Sequence, residues 1–296
     1  MIKKSEIYKP EVIRKILTTY RLSLKKRFGQ NFLIDKNIAN YIVSLLNLDP
    51  NDRVIEIGPG LGAITLLLAE KSKQVVTFEI DRGVCRVLKD ILRVFDIKNV
   101  TLINEDFLKL SDRSRSTISG YNKMVSNFPY SSGQKMVIKA VEKLPQIKRI
   151  VGTLQREVAE RFVATRGSKN YGFISVWVQF LSDIDVRRII SPGSFYPRPE
   201  VESSVVEITP KLPESMELEN IKKFIKCCFS NKRKSLVNNI VSCKDVQLDY
   251  GKFRKEVLLK KIKELFGDEN IRAEQLMIKD FKKMYEYLYG GCQPSK

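Results

Sequence analysis

From residue 52 onward, short apolar runs alternate with longer amphipathic stretches. The runs at 53–57, 75–79, 100–103, 123–126 and 149–154 are short and rich in Val and Ile, which predicts five parallel strands. Between them, 63–71 and 82–95 repeat apolar side chains at helical spacing and read as crossover helices. Such alternation builds an open α/β sheet of Rossmann-like type with helices on both faces. Two more runs, 184–190 and 203–208, follow with little helix between them and predict an antiparallel pair finishing one edge.

The flanks carry different patterns. Pro10 can open a helix that places Ile13, Ile16, Leu17 and Tyr20 on one face. Asp35 is placed to cap a second helix, striped by Ile38, Ile42, Leu45 and Leu46. The basic and aromatic stretch 25–33 between them reads as irregular. Past residue 210 no strand pattern survives, and Ile221, Phe224, Ile225 and Cys228 recur at helical spacing, as do Met277, Phe281, Met284, Tyr285 and Leu288. The predicted organisation is a basic helical extension at 1–24, an α/β domain at 25–210 and a small all-helical domain at 211–296.

Composition narrows the chemistry. None of the 296 residues is histidine, which removes Ser-His-Asp and Cys-His nucleophile systems, histidine bases and most mixed-ligand zinc sites. No metal is expected. With 53 Lys and Arg against 34 Asp and Glu, the formal charge of +19 favours polyanionic partners, nucleic acid first. No apolar run is long enough for a spanning helix, and the N-terminus lacks the apolar core of a secretory signal. Cys85, Cys227, Cys228, Cys243 and Cys292 form no C-x-x-C and read as small core thiols in a reducing cytoplasm.

The strongest local signal is Val54-Ile55-Glu56-Ile57-Gly58-Pro59-Gly60-Leu61-Gly62, a strand running into a glycine-rich turn and a helix. Glycine lets the backbone turn sharply and a ligand approach without meeting a Cβ. Glu79, at the end of the second strand, can accept hydrogen bonds from both hydroxyls of a ribose. Asp106, past the third, suits the amino group of an adenine. NAD and S-adenosylmethionine (AdoMet) both fit this layout.

Asn127-Phe128-Pro129-Tyr130, at the C-terminal end of the fourth strand, separates the two. Hydride transfer has no use for it, whereas methylation of a planar exocyclic amine does. That nitrogen's lone pair is delocalised into the base. The Asn127 side-chain oxygen and the Pro129 carbonyl can each accept one N–H, turning the lone pair toward a sulfonium methyl, while Tyr130 stacks on the extruded base. Positioning and electrostatics suffice, with neither metal nor strong base.

In combination these motifs resemble the KsgA-type rRNA adenine dimethyltransferases, relatives of the erythromycin-resistance methyltransferases. Arg27-Phe28-Gly29-Gln30-Asn31-Phe32-Leu33, Glu79-Ile80-Asp81, Gln155-Arg156-Glu157-Val158-Ala159 and Phe195-Tyr196-Pro197-Arg198-Pro199-Glu200-Val201 add to it. The resemblance spans about 25–206 and continues more loosely to the end. It implies that Asn31 and the Leu33 backbone close over the methionine end of AdoMet and that Gly58 and Gly60 line the cofactor. Glu79 would hold the ribose, Asp106 the adenine amine, and Asn127 would sit between sulfonium and target nitrogen. Tyr130 and Phe195 would sandwich the target base. The implied substrate is two adjacent adenosines near the 3′ end of small-subunit rRNA, each methylated twice. Where the family more often has leucine this chain has Phe128, whose side chain is expected to face the packing.

RNA is usually held by stacking plus a basic groove. Lys25, Lys26 and Arg27, Arg187-Arg188, Arg198, and Lys232 with Arg233 are the candidate contacts. The expected partner is the pre-ribosomal small subunit. A monomer is expected, because that substrate supplies its own large surface. The alternatives are a resistance-type methyltransferase of large-subunit rRNA, a non-catalytic assembly factor and an NAD-dependent dehydrogenase, for which no hydride-handling acid or base is evident.

Overall fold

The computed structural model describes residues 3–23, 29–211, 218–243 and 254–289. A 3-10 turn, Lys4–Tyr8, leads into helix α1 (Pro10–Thr19). After β1 (Phe32–Leu33) and α2 (Lys36–Leu45), strands and helices alternate: β2 (Arg53–Ile57), α3 (Thr65–Lys71), β3 (Gln74–Phe78), α4 (Arg82–Val94), β4 (Val100–Ile103), α5 (Asp112–Thr117), β5 (Lys123–Asn127), α6 (Gly133–Lys143) and β6 (Arg149–Gln155). Then come α7 (Arg156–Phe162), α8 (Phe173–Leu181), β7 (Ser182–Ile190), β8 (Phe195–Tyr196) and β9 (Ser203–Pro210). The last helices are α9 (Leu218–Cys228), α10 (Leu236–Val241), α11 (Lys255–Phe266) and α12 (Ile278–Tyr289).

Seven strands form one sheet in the order β4-β3-β2-β5-β6-β9-β7. The first five are parallel, and β9 and β7 finish the edge antiparallel. Each expected strand is present within one or two residues of its expected ends. Val54, Ile55, Val75, Val76, Met124, Val125, Ile150 and Val151 are fully buried, so these strands are apolar on both faces, as a parallel sheet covered by helices requires. Strand order reverses between β2 and β5, and in such sheets ligands bind at that point, outside the C-terminal strand ends. The Asp35 carboxylate accepts the Asn37 and Ile38 N–H groups and starts α2, and Asp81 does the same for α4 through Gly83 and Val84.

Two compact units divide the chain. The described residues of Met1–Ala159 and Ser182–Lys211 form the first, and those of Glu160–Leu181 and Leu212–Lys296 the second. Residues 160–181, assigned to the α/β region on sequence, therefore belong with the C-terminal helices. In the first unit, Ile13, Ile16 and Leu17 of α1 pack with Phe32, Leu61 and Val87, so this helix is a packing element. Tyr20 donates to Asp90 at 3.0 Å and Lys4 pairs with Glu70 at 2.7 Å. The stretch expected to be irregular contains β1, paired antiparallel with β8 through Phe32–Tyr196 and Leu33–Phe195.

The second unit is all helical among its described residues. Its core includes Trp177, Leu181, Ile221, Phe224, Phe281 and Met284, and Tyr171 donates to the Leu276 carbonyl at 2.8 Å. Phe224 packs on Tyr285 and Phe229 on Phe281. One reading of the cysteines is corrected here: Cys227 and Cys243 are joined in a disulfide, while Cys85 and Cys228 are buried free thiols. Cys292 lies outside the described residues.

Candidate active site

At the C-terminal ends of β2, β3, β4 and β5, the first unit encloses a cavity of about 300 Å³, within the range of small-molecule sites. The glycine turn forms its floor. Gly58 and Gly60 have φ of 63° and 54°, a region that side chains rarely adopt. At Gly60 a Cβ would also meet the Phe32 ring at 2.9 Å, so the absence of a side chain lets β1 close over the turn. Ile7 and Ile13 from the N-terminal segment add to the apolar wall, and Tyr8 donates to the Ala63 carbonyl at 2.7 Å.

Four carboxylates line this cavity, Glu56, Glu79, Glu105 and Asp106, and Glu105 is turned to the Ser111 and Ser114 hydroxyls. Glu79 ends the run of β3; one of its oxygens accepts the Asp81 N–H at 2.9 Å. Its main-chain carbonyl accepts a hydrogen bond from Asn104 Nδ2 at 2.7 Å, which fixes the turn around it. Asp106 follows β4, and its Oδ1 accepts the Leu108 N–H at 2.9 Å beside the apolar side chains of Ile80 and Leu108. Glu56 was not singled out on sequence. It is 1% exposed, and its Oε2 has no hydrogen-bond partner. The signal was present: a charge inside the otherwise apolar run of β2. A buried orphan carboxylate oxygen is costly unless something cationic or donating completes it. Burial pushes the Glu56 carboxyl up to about 8, with the nearby Glu79 charge adding to the rise. Burial likewise raises Glu79 to about 7, against the lowering pull of the Asp81 N–H.

Asn127 closes the cavity from β5. Its Nδ2 donates to the Asn31 carbonyl at 2.6 Å, tying the segment before β1 to the end of β5. Its Oδ1 accepts a hydrogen bond from the Thr153 hydroxyl at 2.5 Å. Leu33 and Pro129 also line the cavity, so all of the residues expected around the cofactor meet in one place. Phe128 is buried, as expected.

Two expected details change. The Pro129 carbonyl accepts the N–H groups of Ser132 at 3.1 Å and Gly133 at 2.7 Å, so both of its lone pairs are committed to starting α6. It cannot also hold a substrate amine. Phe195 is 2% exposed, lies opposite Leu33 in the β1–β8 ribbon, and packs in the core with Leu33 and Ile38. Its ring is a core side chain and is not open to a base. Tyr130 is half-buried beside the cavity, its hydroxyl paired with that of Ser203.

Lys25, Lys26 and Arg27 lie outside the described residues. Arg198 is exposed in the first unit, and Lys232 and Arg233 are exposed in the second. Arg187 is committed to Glu207 at 2.7 Å and Asp185 at 3.2 Å, and Arg188 lies over the Tyr41 ring. Arg156 pairs with Glu202 at 2.7 Å. Among the described residues no helix is long and apolar enough to cross a membrane, and no cluster of three or more acidic or cysteine side chains could hold a metal.

Comparison with known proteins bears on both fold and site. The chain is 38% identical, over 294 aligned residues covering 96% of it and 97% of the relative, to the ribosomal RNA small subunit methyltransferase A of Leuconostoc mesenteroides. It is 36% identical to the protein of that name from Staphylococcus aureus, covering 97% of each. A dimethyladenosine transferase from Plasmodium falciparum superposes with a TM-score of 0.75 at 24% identity, over 86% of this chain and 96% of that one. The 23S rRNA methyltransferase ErmE gives 0.64 at 20% identity, over 87% and 99%, so both share the fold. The model of the family described as ribosomal RNA adenine dimethylase matches residues 21–287, and with that match spanning both the glycine turn and the Asn127 tetrapeptide, this chain belongs to that family.

Proposed function

We propose that this protein uses AdoMet to dimethylate the exocyclic amines of two adjacent adenosines near the 3′ end of small-subunit rRNA. The observation that carries this reading is the position of the Asn127 carboxamide on the same cavity as the glycine turn, Glu79 and Asp106. The names of the most similar curated relatives support the small subunit over the large.

The cavity's residues fit AdoMet. Gly58 and Gly60 leave the floor open to a ligand, Glu79 would accept the ribose hydroxyls, and Asp106 would accept the adenine amine between apolar neighbours. The orphan oxygen of Glu56 gives the methionine ammonium a partner. AdoMet held there would supply an electrophilic methyl carbon, to which the amine lone pair would bond as the C–S bond breaks toward sulfur, leaving S-adenosylhomocysteine.

The chain's own task is to position the amine. Asn127 Oδ1 has a second lone pair for one target N–H. Because the Pro129 carbonyl is occupied, the other N–H falls to the Phe128 carbonyl, which makes no other hydrogen bond among the described residues. Two in-plane acceptors hold the amine so that its lone pair faces the methyl. The methylated ammonium is acidic enough to give its proton to water, so no histidine is needed. Tyr130 supplies the stacking face for the base. Arg198 on the first unit and, separately, Lys232 and Arg233 on the second would contact RNA phosphates, and the sequence adds Lys25, Lys26 and Arg27 as further candidates. The protein acts as a cytoplasmic monomer without a metal.

Cofactor binding carries a pH signature. Glu56 and Glu79, raised by burial, are largely protonated at pH 6 in the ligand-free protein, and binding favours their carboxylate forms. AdoMet affinity should therefore rise from pH 6 to 7.5, below the range where an α-amino group loses its own proton. Calorimetric titration should show protons released on binding, and Glu56→Gln should flatten the slope. The same shifts make the ligand-free fold lose stability as pH rises from the ordinary carboxylate range through about 7 to 8. NADH binding without AdoMet binding in the same titration would defeat the reading.

A further inference from the structure

Asn127 is the residue on which the transfer depends, yet the torsion that sets its amide plane is broad and roughly two-fold in intrinsic preference. Something must choose one orientation. Two neighbours do so. The Asn31 carbonyl accepts from Nδ2 at 2.6 Å, and the Thr153 hydroxyl donates to Oδ1 at 2.5 Å. The reverse orientation would press Oδ1 against the Asn31 carbonyl, setting two acceptors in contact, so the pair of contacts admits one state only.

Thr153 is placed for this by sheet register. It lies directly opposite Asn127 in the parallel β5–β6 pair, and its own carbonyl accepts the Phe128 N–H at 3.2 Å. The side chain is fully buried, so its hydroxyl has no water to exchange with. Gly152, its neighbour, holds the two strands in close approach, since a Cβ there would lie 2.2 Å from the Ser126 carbonyl oxygen. Thr153 is thus tied to the end of β5 by main chain and side chain together.

We propose that Thr153 is a positioning residue that fixes the Asn127 carboxamide for both methyl transfers, and most of all for the second. The proposal rests on the function stated above. In the first transfer the amine offers two N–H groups to two acceptors. After it, one of those positions carries a methyl, and only one N–H remains to orient the nitrogen. With that methyl on the side of the Phe128 carbonyl, the amine is held by a single hydrogen bond, to Asn127 Oδ1. Any freedom in the carboxamide passes undamped into the reacting geometry, where a misplacement of about 1 Å can cost about 100-fold.

The test uses two variants that both lack the γ-methyl and differ only in the hydroxyl, Thr153→Ser and Thr153→Ala, with Thr153→Val as the near-isosteric control. All are assayed as the full chain on small subunits that lack the modification. Thr153→Ser should keep kcat within about twofold of the parent. Thr153→Ala and Thr153→Val should lose about tenfold in kcat while the AdoMet dissociation constant stays within about twofold. Their products should be enriched in N6-monomethyladenosine relative to those of the parent and the serine variant. A packing role alone would move Ser and Ala together and leave the ratio of mono- to dimethylated product unchanged, and that result would overturn the proposal. Equal kcat and product ratio in all variants would overturn it too. Asn127→Ala is run alongside: an active Asn127→Ala would remove the reading of the site and this proposal with it, whereas an inactive one beside a parent-like Thr153→Ala would refute Thr153 alone.

Discussion

Asn127→Ala should lower methyl transfer to small-subunit rRNA by about 10²- to 10³-fold at saturating AdoMet, the scale seen when a preorganised polar group is removed from a reacting centre. The loss has two sources. One is the acceptor Oδ1, without which the target amine keeps only the Phe128 carbonyl. The other is the bond from Nδ2 to the Asn31 carbonyl, which ties the segment leading into β1 to the end of β5. Asn127→Asp separates the two. It keeps the shape and an acceptor oxygen but sets a carboxylate oxygen against the Asn31 carbonyl, and it should be nearly as slow as alanine. Single-turnover labelling with quantified N6,N6-dimethyladenosine reads both variants, and retention of more than a tenth of the parent rate by Asn127→Ala would contradict the assignment.

Gly152→Ala should be the most damaging methyl group that can be added near the site. Its Cβ would lie 2.2 Å from the Ser126 carbonyl oxygen and 2.7 Å from the Phe128 ring, flanking Asn127 on both sides. Neither neighbour can give way. Ser126 is buried main chain in a central strand with its hydroxyl held by the Ile57 carbonyl at 2.7 Å, and Phe128 is fully packed. Forcing β5 and β6 apart should cost about 3 kcal/mol, at the upper end of overpacking penalties. For a unit of this size that is a fall in Tm on the order of 10 °C. Gly172→Ala is the control, since a Cβ there meets nothing within 4 Å, and its Tm should stay within about 2 °C of the parent. Equal Tm values for the two variants would show that the β5–β6 contact is looser than described.

The central parallel strands β2, β3, β5 and β6 were legible because each is a short, mostly apolar run buried on both faces, and the cap at Asp35 was legible because a carboxylate before a helix has one obvious use. Helix α8 was not. Phe173-Ile174-Ser175-Val176-Trp177-Val178-Gln179-Phe180-Leu181 is apolar nearly all round, and periodicity cannot tell a buried helix from a buried strand. Its membership of the second unit could not be read either, because it follows from packing across the intervening segment Ser182–Lys211, which belongs to the first unit.

The site shows the same division. That Gly58, Glu79, Asp106 and Asn127 would meet on one cavity could be read from residue type and position at strand ends, since the sheet brings those ends together. What a motif does not reveal is which lone pair is already taken. Pro129 looked like a substrate acceptor until the start of α6 claimed its carbonyl, and Phe195 looked like a stacking face until the β1–β8 ribbon buried it. Thr153 and Asn31 meet Asn127 from 26 and 96 residues away, through strand register and loop path that no local pattern encodes. Cys227 and Cys243, separated by 16 residues, carry no spacing that marks them as a pair.

The most direct measurement supplies purified small and large ribosomal subunits that lack the modifications, together with methyl-labelled AdoMet and the full chain, followed by mass spectrometry of the rRNA. The expected result is label in small-subunit rRNA alone, recovered as two adjacent N6,N6-dimethyladenosines near the 3′ end. Label confined to large-subunit rRNA, or no label in either, would contradict the account.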